Sequence, residues 1–150
     1  MLALRLQLIE DSSLPTLATD GTCIRYNPEF IAQLPDRLTP SAIAHEVMHC
    51  VLDHVSRRAA REPRRWNRAC DFAANPILKE AGLPLGEKWL LNPAYANLSA
   101  EEIYSMLPEG EEGDDPLCDV RSGESADADA LATEWKIATV QAAKTTQSMG

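Results

Sequence analysis

The sequence predicts an α/β chain of the α+β kind, with strands near the N-terminus followed by a mostly helical remainder. Three observations carry this. Leu2, Leu4, Leu6 and Leu8 alternate with Ala3, Arg5 and Gln7, the period of a strand with one buried face. A D-G turn signal at Asp20-Gly21 leads into the β-prone run Thr22 to Tyr26. From Thr39 onward the apolar residues recur at helical spacing.

The elements follow in order. Asn27-Pro28 ends the second strand and a short helix is expected over Glu29 to Leu34. A long helix opens with Thr39 as N-cap and Pro40 at the first helical position, where its missing N–H costs nothing. Arginines cluster toward its far end, favourable for the helix dipole. "RWNRACDFAANPILKEAG" is a further helix, kinked or restarted at Pro76. In "NLSAEEIYSML", Ser99 and Glu102 make a capping box and Leu98 can staple onto Ile103. The organisation expected is a domain over 1–107, an acidic flexible linker or loop over 108–130, and an amphipathic terminal helix over 131–150. The middle segment is poor in apolar residues, and Leu131, Trp135, Ala138, Ala142 and Met149 share a helical face after it.

Composition narrows the function classes. A net charge of −9 over 150 residues argues against nucleic acid or an anionic membrane as partner. No apolar run approaches the roughly 18 residues of a membrane span. The N-terminus lacks a basic start and a long apolar core, so no signal peptide is expected. Cys23, Cys50, Cys70 and Cys118 show no C-x-x-C pairing, and reduced thiols in the cytoplasm are the expectation.

"AIAHEVMHCVLDH" (Ala42 to His54) contains all three histidines. His45 and His49 bracket Glu46 as H-E-x-x-H. On a helix they lie about 40° apart on one face, so two imidazoles can reach one Zn²⁺ ion and the glutamate can reach a water held there. Histidines satisfying local hydrogen bonds are the plainer alternative. Against it, Ile43, Val47, Met48, Val51, Leu52 and Val55 form a broad apolar arc on the other side. On a continuous helix His54 points about 180° from His45, into that arc, so a core role is expected unless the helix unwinds. The third ligand should come from the next helix. Asp71, set among Trp66, Ala69, Cys70, Phe72, Ala73 and Ala74, is the candidate, with Asn75 orienting His45 or Asp71 from behind.

The runs "TLATDGTCIRYNPEF", "AHEVMHCVLDHVSRR", "RWNRACDFAANPILKEAGLPL" and "NLSAEEIYSML" resemble, in order, the metallopeptidase domain that precedes a von Willebrand A-like domain in many bacterial and phage proteins. The resemblance spans Leu2 to about Leu107. It implies a zincin-like fold, with a small twisted sheet packed on the H-E-x-x-H helix and metal bound between two helices. It also implies that His45 and His49 are ligands, that Glu46 is the catalytic glutamate, and that Asp71 matches the aspartate of the W-N-x-A-x-D block. The D-x-x-x-N spacing further resembles the E-x-x-x-D element of thermolysin-like zincins. Family members usually carry a helix before the first strand and a von Willebrand A-like domain after the last helix. This sequence starts at the strand and stops at Gly150, as a truncated version or a fragment would.

The expected function is a zinc-dependent hydrolase acting on a peptide or protein, with Glu46 as general base. The strand Thr22 to Tyr26, if at a sheet edge above the cleft, could bind an extended peptide by strand addition. Tyr26, Tyr95, Tyr104 and His54 are the oxyanion candidates, with His54 also an alternative ligand. The rival is a catalytically silent, zinc-stabilised module acting with a von Willebrand A-like partner. Its contact surfaces would be the acidic segment and Arg57, Arg58, Arg61, Arg64 and Arg65, which a solvated helix face also explains.

Overall fold

The computed structural model describes residues 6–110, 118–120, 133–138 and 141. Three strands come first: β1 (Gln7–Glu10), β2 (Leu17–Thr19) and β3 (Cys23–Tyr26). β3 lies between the other two, parallel to β1 and antiparallel to β2. The β2–β3 turn has the chemistry its residues suggest. Gly21 takes φ +88°, and the Asp20 carboxylate accepts from the Thr22 and Cys23 N–H groups at 2.8 and 3.1 Å. A fourth strand, β4 (Cys118–Val120), pairs parallel with the outer side of β2, giving the order β1-β3-β2-β4.

Two expectations about the sheet are corrected here. The first strand lies at residues 7–10, with Leu6 buried and Leu8 exposed, so the leucines on either side of Gln7 do not share one buried face. Residues 1–5 lie outside the described residues. The second strand is interior, not an edge. Both of its hydrogen-bonding sides are taken by β1 and β2, so a peptide cannot add to it.

Helix α1 (Pro28–Gln33) is capped by Asn27, whose side chain accepts from the Glu29 N–H at 2.9 Å. A single 3₁₀ turn, Asp36–Leu38, leads into α2 (Thr39–Val51). Leu38, not Thr39, is the residue before α2, and no side chain caps that end. The expected long helix breaks at Leu52. Asp53 adopts a left-handed conformation (φ 56°), and α3 (His54–Arg57) restarts in a new direction. Asp tolerates this region because its short polar side chain limits the steric cost.

Arg57 holds the break. Its Nη1 donates to the Leu52 carbonyl at 2.6 Å, while its Nε donates to Glu101 at 2.8 Å and its Nη2 pairs with the same carboxylate. The arginines are therefore more than a solvated face. Arg61 lies over the Trp66 ring and Arg65 over Tyr104, 5.1 and 4.3 Å from the ring centroids.

α4 (Pro63–Glu80) starts under the Glu62 carboxylate, which accepts from the Arg64 and Arg65 N–H groups. Pro76 lies inside it without ending it, so of the kink or restart expected there the restart does not occur. α5 (Ala100–Met106) has the Ser99–Glu102 capping box, and Leu98 packs on the cluster that holds Ile103. Residues 133–138 are helical. There Trp135 is buried and donates through Nε1 to the Gly21 carbonyl at 2.9 Å. Of the acidic segment 108–130, residues 111–117 and 121–130 lie outside the described residues, as do 131–132 and most of the chain after 138.

The result is a mixed α/β arrangement in which α2 is buried on two sides. Ala42, Val47 and Cys50 pack toward Leu17 and Ile24 of the sheet in one cluster with Trp89. Its histidine edge faces α4, which in turn packs Ala69 and Phe72 on Ile103 and Leu107 of α5 and the residue following it. Gly86 lets Trp89 close over this core. A Cβ at Gly86 would come within 2.7 Å of the indole Nε1 and 2.8 Å of Cδ1. Gly86→Ala must displace a rigid ring, so the chain is expected to lose about 1–3 kcal/mol of stability in a denaturant titration.

Candidate metal centre

His45 and His49 sit one turn apart on α2 and face Asp71 and Asn75 of α4, themselves one turn apart. All four side chains, with Glu46, are essentially excluded from solvent. His45 Nε2 lies 2.8 Å from His49 Nε2, and the two nitrogens lie 3.1 and 3.3 Å from Asp71 Oδ1. Three atoms that normally present lone pairs thus share one small space. They repel unless a proton or a cation lies among them.

Their ionisation shows this pressure. Burial alone would depress His45, but the Asp71 carboxylate, helped by Glu46, outweighs it and raises the imidazole above its ordinary value. His49 is pushed down to about 4 by burial and by the charge on His45. Burial would raise Asp71, yet the two histidines hold it down to about 2. The metal-free cluster is best written as one proton on His45 facing the Asp71 anion, with His49 neutral.

The same triangle suits a metal ion. Donor atoms about 2.0–2.2 Å from a tetrahedral ion stand about 3.3 Å or a little more from one another, close to the spacing found here. Asn75 supports the arrangement from behind. Its Nδ2 donates to the Leu90 carbonyl at 3.0 Å, which turns Oδ1 toward His45 Nδ1 at 2.7 Å. His45 therefore keeps a proton on Nδ1, and Nε2, which faces the triangle, is the nitrogen whose proton a metal would replace. The tendency of a residue before proline to leave helical geometry is overridden, because Asn75 is anchored at both ends of its amide.

His54 is not in the apolar arc. The break at Asp53 turns it back against α2, and its Nδ1 stands 2.8 Å from His49 Nδ1. The helical wheel assumed a continuous helix, and there is none. Trp66 fixes His54 from the other side, donating through Nε1 to its backbone carbonyl at 2.9 Å and packing edge-on to its ring. A second trio, His49, His54 and Cys70, also brings three possible ligand atoms together. Burial drives the Cys70 thiol far above its usual range, so it is a neutral thiol here.

The tyrosines have other partners. Tyr26 donates to Glu10 at 3.3 Å, Tyr104 accepts from the Glu62 N–H at 3.1 Å, and Tyr95 stacks edge-on against Phe72. Trp89 went unmarked in the sequence, although it edges His45 with ring centroids 5.7 Å apart. It also lines a groove of about 520 Å³ with Phe30, Leu34, Leu38 and Lys88, so one indole separates that groove from the buried donors. A second cavity of about 410 Å³ is lined by His54, Arg57, Phe72 and Tyr95 among others.

A family model described as "Putative metallopeptidase domain" matches residues 1–149. The chain belongs to that family. An uncharacterized protein of Thermotoga maritima is 38% identical over 72 residues, covering 45% of this chain. Those residues are 18% of that relative's length, so the chain spans a small part of the curated protein it matches. No solved structure matches the chain. As a metallopeptidase-family domain, it carries a buried cluster of His, Asp and Cys side chains that could bind a metal.

Proposed function

We propose that this domain is a zincin-like, zinc-dependent hydrolase that cleaves peptide bonds, with His45, His49 and Asp71 as ligands and Glu46 as general base. The observation that carries this reading is the convergence of His45 Nε2, His49 Nε2 and Asp71 Oδ1 within 2.8–3.3 Å. Two histidines with one carboxylate leave a position open, as catalytic zinc sites do. When bound, zinc supplies a Lewis acid that polarises a carbonyl and makes water more acidic. Asn75 holds the His45 ring in the ligating tautomer, and Asp71 offsets the charge of the ion. Glu46, beside His45 on the same helix, accepts the proton of the attacking water and returns it to the leaving amine. The free, buried thiols of Cys23, Cys50 and Cys70 support a reducing, cytoplasmic setting.

The rival reading is a zinc-stabilised module that serves a von Willebrand A-like partner without catalysis. The burial of every donor favours it, since catalysis needs a path for substrate. The test is metal content together with hydrolysis of a peptide library. The purified chain should hold one zinc per molecule, and His45→Ala/His49→Ala should hold none. Zinc must displace the proton that Asp71 keeps on His45, whereas His49, at about 4, is already an uncharged imidazole near neutrality. Affinity should therefore fall as pH drops below the raised value of His45, by about tenfold per unit, with about one proton released per zinc in calorimetry. Full metal content in the double variant, or affinity flat between pH 5 and 7, would place the ion elsewhere.

A further inference from the structure

We infer that His54 is the positioning residue for His49: through its Nδ1 it accepts the His49 Nδ1–H and so turns the His49 Nε2 lone pair toward the metal. This inference rests on the metal reading of the site and extends it to a residue outside the H-E-x-x-H motif. An imidazole can ligate through Nε2 only if its proton is on Nδ1, and that proton needs a buried acceptor. For His45 the acceptor is the Asn75 amide oxygen, at 2.7 Å. For His49 the group at the equivalent place is His54 Nδ1, at 2.8 Å. His54 then keeps its own proton on Nε2.

Three features hold His54 in this role. The left-handed Asp53 turns the chain so that the first residue of α3 faces back toward His49. The Trp66 indole donates to the His54 carbonyl and packs against its ring edge, 6.1 Å between centroids. Arg57, at the other end of α3, donates through Nη1 to the Leu52 carbonyl at 2.6 Å and so holds the turn that presents His54. The two ligand histidines are thus set by different acceptors, an amide from α4 and an imidazole from α3.

The competing arrangement is a separate centre of His49, His54 and Cys70, one possible ligand atom of each lying within 4.8 Å of the others. The two arrangements differ in the need for sulfur and in what can replace His54.

The experiment uses the full chain with zinc alone as probe. His54→Phe keeps a ring of similar volume and removes the acceptor. His54→Asn places a carbonyl oxygen near the position of the lost Nδ1. Zinc affinity from chelator competition should fall about 10- to 100-fold in His54→Phe and return close to the parent value in His54→Asn. Circular dichroism of the metal-free variants separates this from unfolding, since an acceptor-specific rescue does not follow from loss of packing. Cys70→Ser should retain one zinc per chain, and the cobalt-substituted protein should show no thiolate-to-metal charge-transfer band. Unchanged affinity in His54→Phe overturns the inference. So does an Asn variant as weak as Phe, which would make His54 itself a ligand. Metal lost in Cys70→Ser assigns the ion to the sulfur-containing trio. A parent chain that takes up no zinc is a different result, and it overturns the metal reading as a whole.

Discussion

Glu46→Gln should keep its zinc and lose about 10²- to 10⁴-fold in peptide hydrolysis, the usual range for removing a general base. The substitution keeps the size and the hydrogen-bonding length of a side chain that is fully buried on α2. It takes away the only property the mechanism asks of Glu46, the capacity to accept a proton from water. Zinc should stay because Glu46 is outside the donor triangle of His45, His49 and Asp71. Glu46 also helps to keep His45 protonated, so its neutralisation eases the competition between proton and metal. Metal analysis and hydrolysis measured on the same sample decide the matter. Loss of both together would mean that Glu46 holds the site, and retention of both would mean that the base is another residue.

The second large effect is expected at Asp71. Asp71→Asn keeps the volume but removes the charge that offsets the ion, and zinc affinity should fall by about tenfold or more. Asp71→Ala should fall further, because it opens a coordination position as well. In the metal-free chain the same carboxylate faces protonated His45, so either change frees His45 to lose its proton near neutrality. The proton released on zinc binding should then disappear, a calorimetric signature that a purely structural role for Asp71 would not produce. Parent-like affinity in both variants would move the third ligand elsewhere. Glu101 and Glu102 are poor replacements, since Arg57 holds the first and the Ser99 capping box holds the second. His54 would be the next residue to test.

Much of the site was legible because its parts are local. H-E-x-x-H and D-x-x-x-N are each one helical turn, so the chain alone says which side chains share a face. The Ser99 capping box was readable for the same reason. What escaped reading depends on events outside the local period. The break after Val51 needs no glycine, because an aspartate takes the left-handed position and Arg57, four residues on, satisfies the Leu52 carbonyl. The run Leu52-Asp53-His54 followed by Arg57 was the available signal, but a helical wheel cannot express it. β2 has only three residues, too few for alternation to show. The interior place of β3 depends on β1 returning parallel to it across residues 11–22, which no pattern within the strand records. On local grounds Pro76 suggests a kink or a restart, whereas Asn75 is held by hydrogen bonds and Leu78 by packing on either side of it.

The exclusion of every donor from water has a consequence for time scales. With its donors buried and Trp89 packed against His45, the site should admit zinc or a chelator only through an opening of the surrounding structure, and exchange is expected at the rate of that opening. Chelator-driven zinc loss should then reach a plateau rate as chelator concentration rises, and at that plateau the limit is the protein's own opening rate. Loosening the packing over His45 by shortening Trp89 should quicken metal loss. A metal bound in such a site would be held kinetically as well as by affinity.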